Sequence, residues 1–145
     1  MILDERTEFA DAQVVTATAI SEVIDLGATP TLRALALQNL YLVISTDVAA
    51  AAAGSATVTF SLESDSTADL ATSATVHYSS AAIGKASLGA GTVPVKIPLP
   101  IDATYERYLG VRFTVATGPL TTGSAFSAYL TPTVPLQTIY PDATN

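Results

Sequence analysis

The sequence predicts an all-β fold, with about eight antiparallel strands arranged as a jelly roll or a related two-sheet sandwich. Apolar and polar residues alternate strictly along residues 57–63, so that Val58, Phe60 and Leu62 share one face of an extended chain. The opposite face carries hydroxyls and a carboxylate, and we expect it to be exposed to solvent. The same alternation returns along residues 93–99 and 109–115, and no segment has the pattern of a long helix.

Residues 1–11 are acidic and polar, and we interpret them as an N-terminal arm outside the main fold. The alternative is a disordered tail, since chain termini are often loose. Residues 13–20 are rich in β-branched side chains and predict the first strand. Residues 31–37 fit either a helical turn or a strand.

Residues 39–45 are almost continuously apolar, which predicts a second strand covered on both sides. Residues 47–54 contain five consecutive alanines and fit a short helix or a close-packed loop equally well. Residues 72–79 predict a strand in which His77 lies on the face opposite Val76 and Tyr78.

Pro94 and Pro98 predict that residues 93–99 form an edge strand, because proline cannot donate a hydrogen bond to a ladder. Residues 108–116 have the character of a central strand, and residues 124–130 form the last one. Residues 132–145 are punctuated by proline and predict an extended tail. The domain prediction is therefore a single jelly-roll domain over residues 1–145, with its β core at 12–131.

The chain is acidic and weakly charged, with a net charge of −7 and 13% charged residues. Its six basic residues are scattered, which argues against direct binding of nucleic acid. The absence of cysteine excludes disulfides and thiolate metal sites. No apolar stretch approaches a membrane span or a signal peptide, and we expect a soluble protein made in the cytosol.

Chemistry-bearing residues are few. His77 is the only histidine, so a serine triad would need it as the base, and we interpret it instead as a solvent-facing or interface residue. Glu63, Asp65 and Asp69 could in principle hold calcium, but a solvated turn whose side chains bond the local backbone fits better. We therefore assign no catalytic, cofactor-binding or metal residue, and we expect no enzyme activity.

Four stretches carry a specific resemblance: MILDERTEFADAQ, NLYLVISTDVAAAAAGSATVTFSLESDS, KIPLP and YLGVRFTV. With these stretches the chain resembles, along nearly its whole length, the capsid cement (decoration) proteins of tailed bacteriophages, in particular the small jelly-roll type first seen on a short-tailed phage. The resemblance implies a homodimer that binds the major capsid protein on the outer surface of the virion. There it would clamp neighbouring capsomers and stabilise the mature shell, without a cofactor.

The arm and the tail are the predicted contact elements, because extended ends can lie along neighbouring subunits. The candidate capsid or subunit contacts are their large apolar side chains: Ile2, Leu3, Phe9, Leu136, Ile139 and Tyr140. The alternative function is a carbohydrate-binding or host-adhesion jelly-roll module, which aromatic side chains clustered on one exposed face would favour.

Overall fold

The computed structural model describes residues 5–29, 39–71, 73–100 and 104–133. A short 3-10 turn, Glu5–Thr7, precedes the first strand, and a second one, Lys85–Ser87, follows the seventh. The strands are β1 (Glu8–Val14), β2 (Ala19–Ile20), β3 (Ile24–Asp25), β4 (Tyr41–Val48), β5 (Thr57–Asp65), β6 (Thr75–Ser79), β7 (Ile83–Gly84), β8 (Val95–Pro98), β9 (Tyr108–Ala116) and β10 (Ala125–Thr131).

The strands form two antiparallel sheets packed as a sandwich. The four-stranded sheet has the order β1-β10-β4-β8. The six-stranded sheet has the order β2-β9-β5-β6 and also contains the short segments β3 and β7. Strand β3 continues β2 along β9, and β7 continues β6 along β5, so the ten segments correspond to eight strands. The pairs β1·β10, β2/β3·β9, β4·β8 and β5·β6/β7 form the wound antiparallel ribbon of a jelly roll, as predicted.

The core between the sheets centres on three phenylalanines, one from each of β5, β9 and β10. Phe60 lies edge-on to both Phe113 and Phe126, with centroid distances of 5.9 and 5.4 Å. All three are fully buried and come from inward-facing positions of their strands. Aromatic pairs in this geometry stabilise a core beyond the area that they bury.

Several predicted strands are confirmed. Strand β5 begins at Thr57 as the alternation requires, and β9 spans Tyr108–Ala116 between two neighbours. Strand β8 lies at the edge of its sheet, as its prolines predicted. In β4 three consecutive residues are fully buried, which agrees with a strand covered on both sides.

The prediction of an arm over residues 1–11 is wrong for its described part. Strand β1 begins at Glu8 and pairs with β10, and Phe9 and Ala10 are buried in the core. The β1–β10 register shifts between Glu8 and Ala10, and this bulge turns two adjacent side chains inward. The β core therefore begins at residue 8 rather than at residue 12.

The predicted first strand, residues 13–20, is also wrong as a single element. It holds the end of β1, a bend at 16–18 and all of β2, so the chain passes here from one sheet to the other. Residues 49–56 form an irregular connection, which decides for a loop over a helix. Residues 31–37 lie outside the described residues. Among the described residues no helix is long and apolar enough to span a membrane.

Candidate functional site

The outer face of the six-stranded sheet is covered in part by the loop that joins β5 to β6. In this loop Leu70 is 1% exposed and adopts a left-handed backbone conformation, with φ at 48°. It packs on Gly110 of β9, where a Cβ would lie 2.7 Å from Leu70 Cδ1. The glycine therefore leaves the space that the leucine occupies.

An ion pair lies beneath this loop. Arg112 Nε donates to Glu63 Oε2 at 2.8 Å, and Arg112 Nη2 donates to the carbonyl of Leu70 at 2.7 Å. The Glu63 side chain is only 6% exposed, whereas that of Arg112 is 25% exposed. The predicted solvent-exposed face of β5 is therefore wrong at Ser61 and Glu63, which are buried.

Asp65 holds the two ends of the same loop. Its carboxylate accepts hydrogen bonds from the backbone N–H groups of Thr67 and Ser73, at 3.3 and 3.4 Å, and from the hydroxyl of Ser66. Burial acts to raise the pKa of Asp65, but the hydrogen bonds from backbone amides and from Ser66 outweigh it, and the pKa is lowered. The ionised form thus stabilises the loop.

Asp69 accepts from the hydroxyl of Thr67 at 2.7 Å and from the N–H of Ala71. Asp65 and Asp69 thus bond the backbone of their own loop, as the turn interpretation predicted, although Asp65 is buried rather than solvated. The pairing of the buried Glu63 with Arg112 was not predicted. Within the described ranges no three His, Asp or Glu side chains converge in a way that could hold a metal ion.

His77 lies on the inner side of β6, and its predicted orientation is wrong. The β5–β6 register shifts between Leu62 and Glu63, so His77 is the extra residue of a bulge beside Tyr78. The bulge brings His77 Nε2 to 2.7 Å from Ser64 Oγ, and its ring lies 4.3 Å from that of Tyr105. This cluster closes one end of the core.

The Ser64–His77 pair braces the connection that precedes β9. Ser64 Oγ accepts the N–H of Glu106 at 2.9 Å, so its own hydrogen is free to be donated to Nε2 of a neutral imidazole. Burial lowers the pKa of His77, and the nearby Glu106 carboxylate opposes this only in part. Since Ser64 is 0% exposed, its hydroxyl has no access to a substrate in this conformation.

Tyr105 completes this end of the core. Its hydroxyl donates to the carbonyl of Pro100 at 2.8 Å, and its ring is almost fully buried. Burial raises the pKa of Tyr105 to about 12. The side chains of Ser64, His77 and Tyr105, together with the backbone N–H of Glu106, therefore act as a polar brace rather than as an open catalytic site.

A cleft of about 700 Å³ opens on the side of the sandwich where β1 and β2 form the sheet edges. Its apolar floor comes from Phe9, Ala10 and Ile20. Carboxylates and polar groups line the rest: Glu8, Asp11, Gln13, Ser21 and Glu22. No pattern in the sequence singled out this cleft, because its walls come from two different sheets.

The exposed large apolar side chains also escaped sequence reasoning. Val14 is 55% exposed and Val48 is 49% exposed, and both pair with Ala125, one on each side of β10. Val14, Ala125 and Val48 thus lie side by side across three adjacent strands, and we name them the valine row. Val76, at 53% exposure, lies on β6 of the other sheet.

Of the six predicted contact residues, only Phe9 lies among the described residues. Phe9 is 1% exposed and packs within the core, so it is not available as a surface contact, because the bulge in β1 turns it inward. The remaining five predicted contacts lie outside the described residues: Ile2, Leu3, Leu136, Ile139 and Tyr140.

The chain has no match among curated proteins. The model of the family Bbp16 matches residues 9–130, from the second residue of β1 to the penultimate residue of β10. The match covers most of the chain and all of the sandwich between these strands. On this match, the chain belongs to the Bbp16 family.

Proposed function

We propose that this chain is a structural virion protein that binds the outside of an icosahedral phage capsid as a homodimer. It clamps neighbouring capsomers, with the major capsid protein as its partner, and so stabilises the mature shell. The observation that carries the proposal is the resemblance to capsid cement proteins together with the jelly-roll topology that the resemblance implies.

The resembling stretches support the proposal by their place in the fold. The longest one supplies β4 and β5, and the stretches KIPLP and YLGVRFTV supply β8 and β9. These four strands include three of the four central strands of the two sheets, β4, β5 and β9. The resemblance therefore concerns residues that build the sandwich, and not only its surface.

The internal bracing also suits a protein that bears mechanical load. Buried or partly buried polar side chains bond the loops to the sheets. Arg112 bonds the carbonyl of Leu70, Asp65 bonds both ends of the β5–β6 loop, and Ser64 bonds the N–H of Glu106. Among the described residues, no buried side-chain nitrogen or oxygen is left without a hydrogen bond. A fully satisfied network of this kind rigidifies a fold.

The valine row is the described surface that we propose for a shell or subunit contact. Side chains that are about half exposed in the free protein have apolar area left to bury, at roughly 25 cal/mol per Å² before ordering costs. The row lies on the four-stranded sheet, where Val14 belongs to the edge strand β1. A partner can reach it without disturbing the core.

The test counts this chain in gradient-purified virions by quantitative mass spectrometry, against the major capsid subunit. A fixed ratio amounting to hundreds of copies per particle is expected. A few copies per particle would indicate a tail or adhesion protein, and complete absence would overturn the proposal.

The contact is tested by adding the purified chain to shells that lack it. The Val14→Ser/Val48→Ser variant is expected to fold normally and to decorate shells more weakly. Val76→Ser is the matched control, because it removes an equally exposed valine from the other sheet. Equal decoration by both variants would remove the valine row from the proposal.

A further inference from the structure

Four connections that join strands at one end of the sandwich carry almost no charge. They comprise residues 15–18, 49–56, 85–94 and 117–124. Lys85 is their only charged residue, and its ammonium group donates to the carbonyl of Ala52. Asp47, the penultimate residue of β4, borders them, and its carboxylate accepts from the hydroxyl of Ser127. We name the surface formed by these four connections the low-charge end.

Acidic residues collect at the opposite end of the sandwich. Asp65 ends β5, Asp69 lies in the loop that follows it, and Glu106 precedes β9. Asp25 of β3 pairs with Tyr108, the first residue of β9, which runs from there towards the low-charge end. Charge is therefore segregated along the strand direction, in a chain whose net charge is −7.

Hydrogen bonds between the connections fix the low-charge end in the free chain. The N–H of Leu120 donates to the carbonyl of Thr16 at 2.9 Å, and the N–H of Thr121 donates to the carbonyl of Ala51 at 2.7 Å. A bond of the same kind, at 2.9 Å, joins the second connection to the third. A surface that is ordered before it binds loses little conformational entropy on binding.

The exposed side chains of the low-charge end are small. They include Ala49, Ala51, Ala53, Thr121 and Thr122. Alanine loses no side-chain entropy when it is buried. The half-exposed Val14 and Val48 of the valine row border the same end. A partner can therefore bury this surface at a low cost in entropy and without removing many charges from water.

The distribution of charge favours a second copy of the chain as that partner. Two chains with a net charge of −7 repel each other, and the repulsion is smallest when their acidic ends point apart. Strands β5 and β9 have nine residues each, so the sandwich is about 30 Å long. Two copies joined through their low-charge ends hold their acidic ends about 60 Å apart, several times the Debye length of about 8 Å.

We infer that the low-charge end is the surface through which two copies of this chain form a dimer with a two-fold axis. In this dimer the connections 49–56 and 117–124 of one copy face the same connections of the other. The inference deepens the proposed function and rests on it for the expectation of a homodimer. It assigns this end to the second copy rather than to the shell.

The test measures the dimer in the absence of shells, by sedimentation equilibrium of the full chain. We expect a monomer–dimer equilibrium whose Kd changes less than about threefold between about 0.05 and 0.5 M salt, because few charges lie in the contact. A dimer that tightened strongly with salt would have acidic surfaces in contact and would overturn the inference. A chain that stayed monomeric at every concentration would also overturn it.

Two variants with the same change in charge locate the contact. Ala53→Glu/Thr122→Glu places two carboxylates on exposed residues of the low-charge end, and should raise the Kd of the dimer at least about tenfold. Ala71→Glu/Thr104→Glu replaces the same residue types at exposed positions of the acidic end, and should keep the wild-type Kd. Equal values of Kd in the two variants would overturn the inference.

Opposite charges should restore the contact. The Ala53→Lys/Thr122→Lys variant is expected to be monomeric alone and to form a heterodimer with the Ala53→Glu/Thr122→Glu variant, which native mass spectrometry detects by its mass. A mixture that stayed monomeric would overturn the inference. So would a monomeric wild-type chain whose glutamate variant fails to decorate shells, because this end would then contact the shell. In that case the count of copies per virion would still support the proposed function.

Discussion

Leu70 occupies the space that a side chain at residue 110 would need. A Cβ built on Gly110 lies 2.7 Å from Leu70 Cδ1 and 3.1 Å from Val23 Cγ1. The β5–β6 loop can therefore lie on the six-stranded sheet only because β9 has a glycine at this position. This contact also shields the Glu63–Arg112 pair from water.

We predict that Gly110→Ala lowers the free energy of unfolding by about 1–3 kcal/mol, the usual cost of overpacking. Leu70→Ala alone should cost about 2–5 kcal/mol, because a buried leucine is removed. In the double variant the loss in free energy of unfolding should be smaller than the sum of the two single losses, because the clash between the new Cβ and Leu70 is gone. Urea denaturation of the four proteins measures this coupling.

Gly84→Ala is the control for that series. A Cβ at Gly84 meets nothing within 4 Å, and its backbone is extended, with φ at −67°. The substitution should therefore be neutral or slightly stabilising. If Gly84→Ala lowered the free energy of unfolding as much as Gly110→Ala, the effect would come from the loss of a glycine in general and not from the contact with Leu70.

The two ion pairs of the described structure should differ in energy. Arg112→Gln leaves the nearly buried Glu63 carboxylate without its partner and should cost about 3 kcal/mol. Arg107→Gln breaks a pair whose side chains are 45% and 44% exposed, and it should cost at most about 1 kcal/mol. Chemical denaturation at neutral pH compares them, and equal costs would contradict the shielding by Leu70.

Stability should fall on acidification through the titration of His77. Its pKa is lowered in the folded state from the ordinary value of 6.5, so the unfolded chain binds the proton first as the pH falls. The stabilisation is complete above about pH 6.5 and is lost as the pH falls through the folded pKa. In the His77→Gln variant, the midpoint of chemical denaturation should change less between pH 7.5 and pH 5 than it does in the wild-type chain.

A second, more acidic loss of stability belongs to Asp65. Its pKa is lowered from 3.8, so its contribution is present above that pH and lost below it. His77→Gln should leave this loss of stability at acidic pH unchanged, whereas Asp65→Asn should reduce it. If His77→Gln changed only the more acidic loss of stability, the assignment of the first loss to His77 and of the second to Asp65 would be contradicted.

At alkaline pH the relevant group is Tyr105. Its pKa is raised by burial from 10.0 to about 12, so the folded state keeps the proton that the unfolded chain loses. Its contribution to stability is present below pH 10 and is lost as the pH rises towards 12. In a titration followed by tyrosine absorbance, Tyr105→Phe should remove one phenol that titrates late. The same substitution should lower the free energy of unfolding by about 1 kcal/mol, because the hydrogen bond to the carbonyl of Pro100 is lost.

The sequence by itself determined the class of fold and several of its strands. Alternation predicted β5 and β9, and the prolines predicted that β8 lies at an edge, because a strand's periodicity and its missing donors are local properties. The absence of long helical patterns then left a two-sheet sandwich as the arrangement that buries the apolar faces of so many strands.

Only the tertiary structure decided which side chains are covered and which are available. A bulge in β1 places both Phe9 and Ala10 in the core, and a bulge in β6 turns His77 inward against the predicted alternation. Such a register shift depends on the partner strand rather than on local sequence. The burial of Glu63 requires Leu70 and Gly110, which are distant in sequence and meet only when the loop lies on the sheet. The cleft likewise exists because the edges of two separate sheets come together, which long-range pairing alone produces.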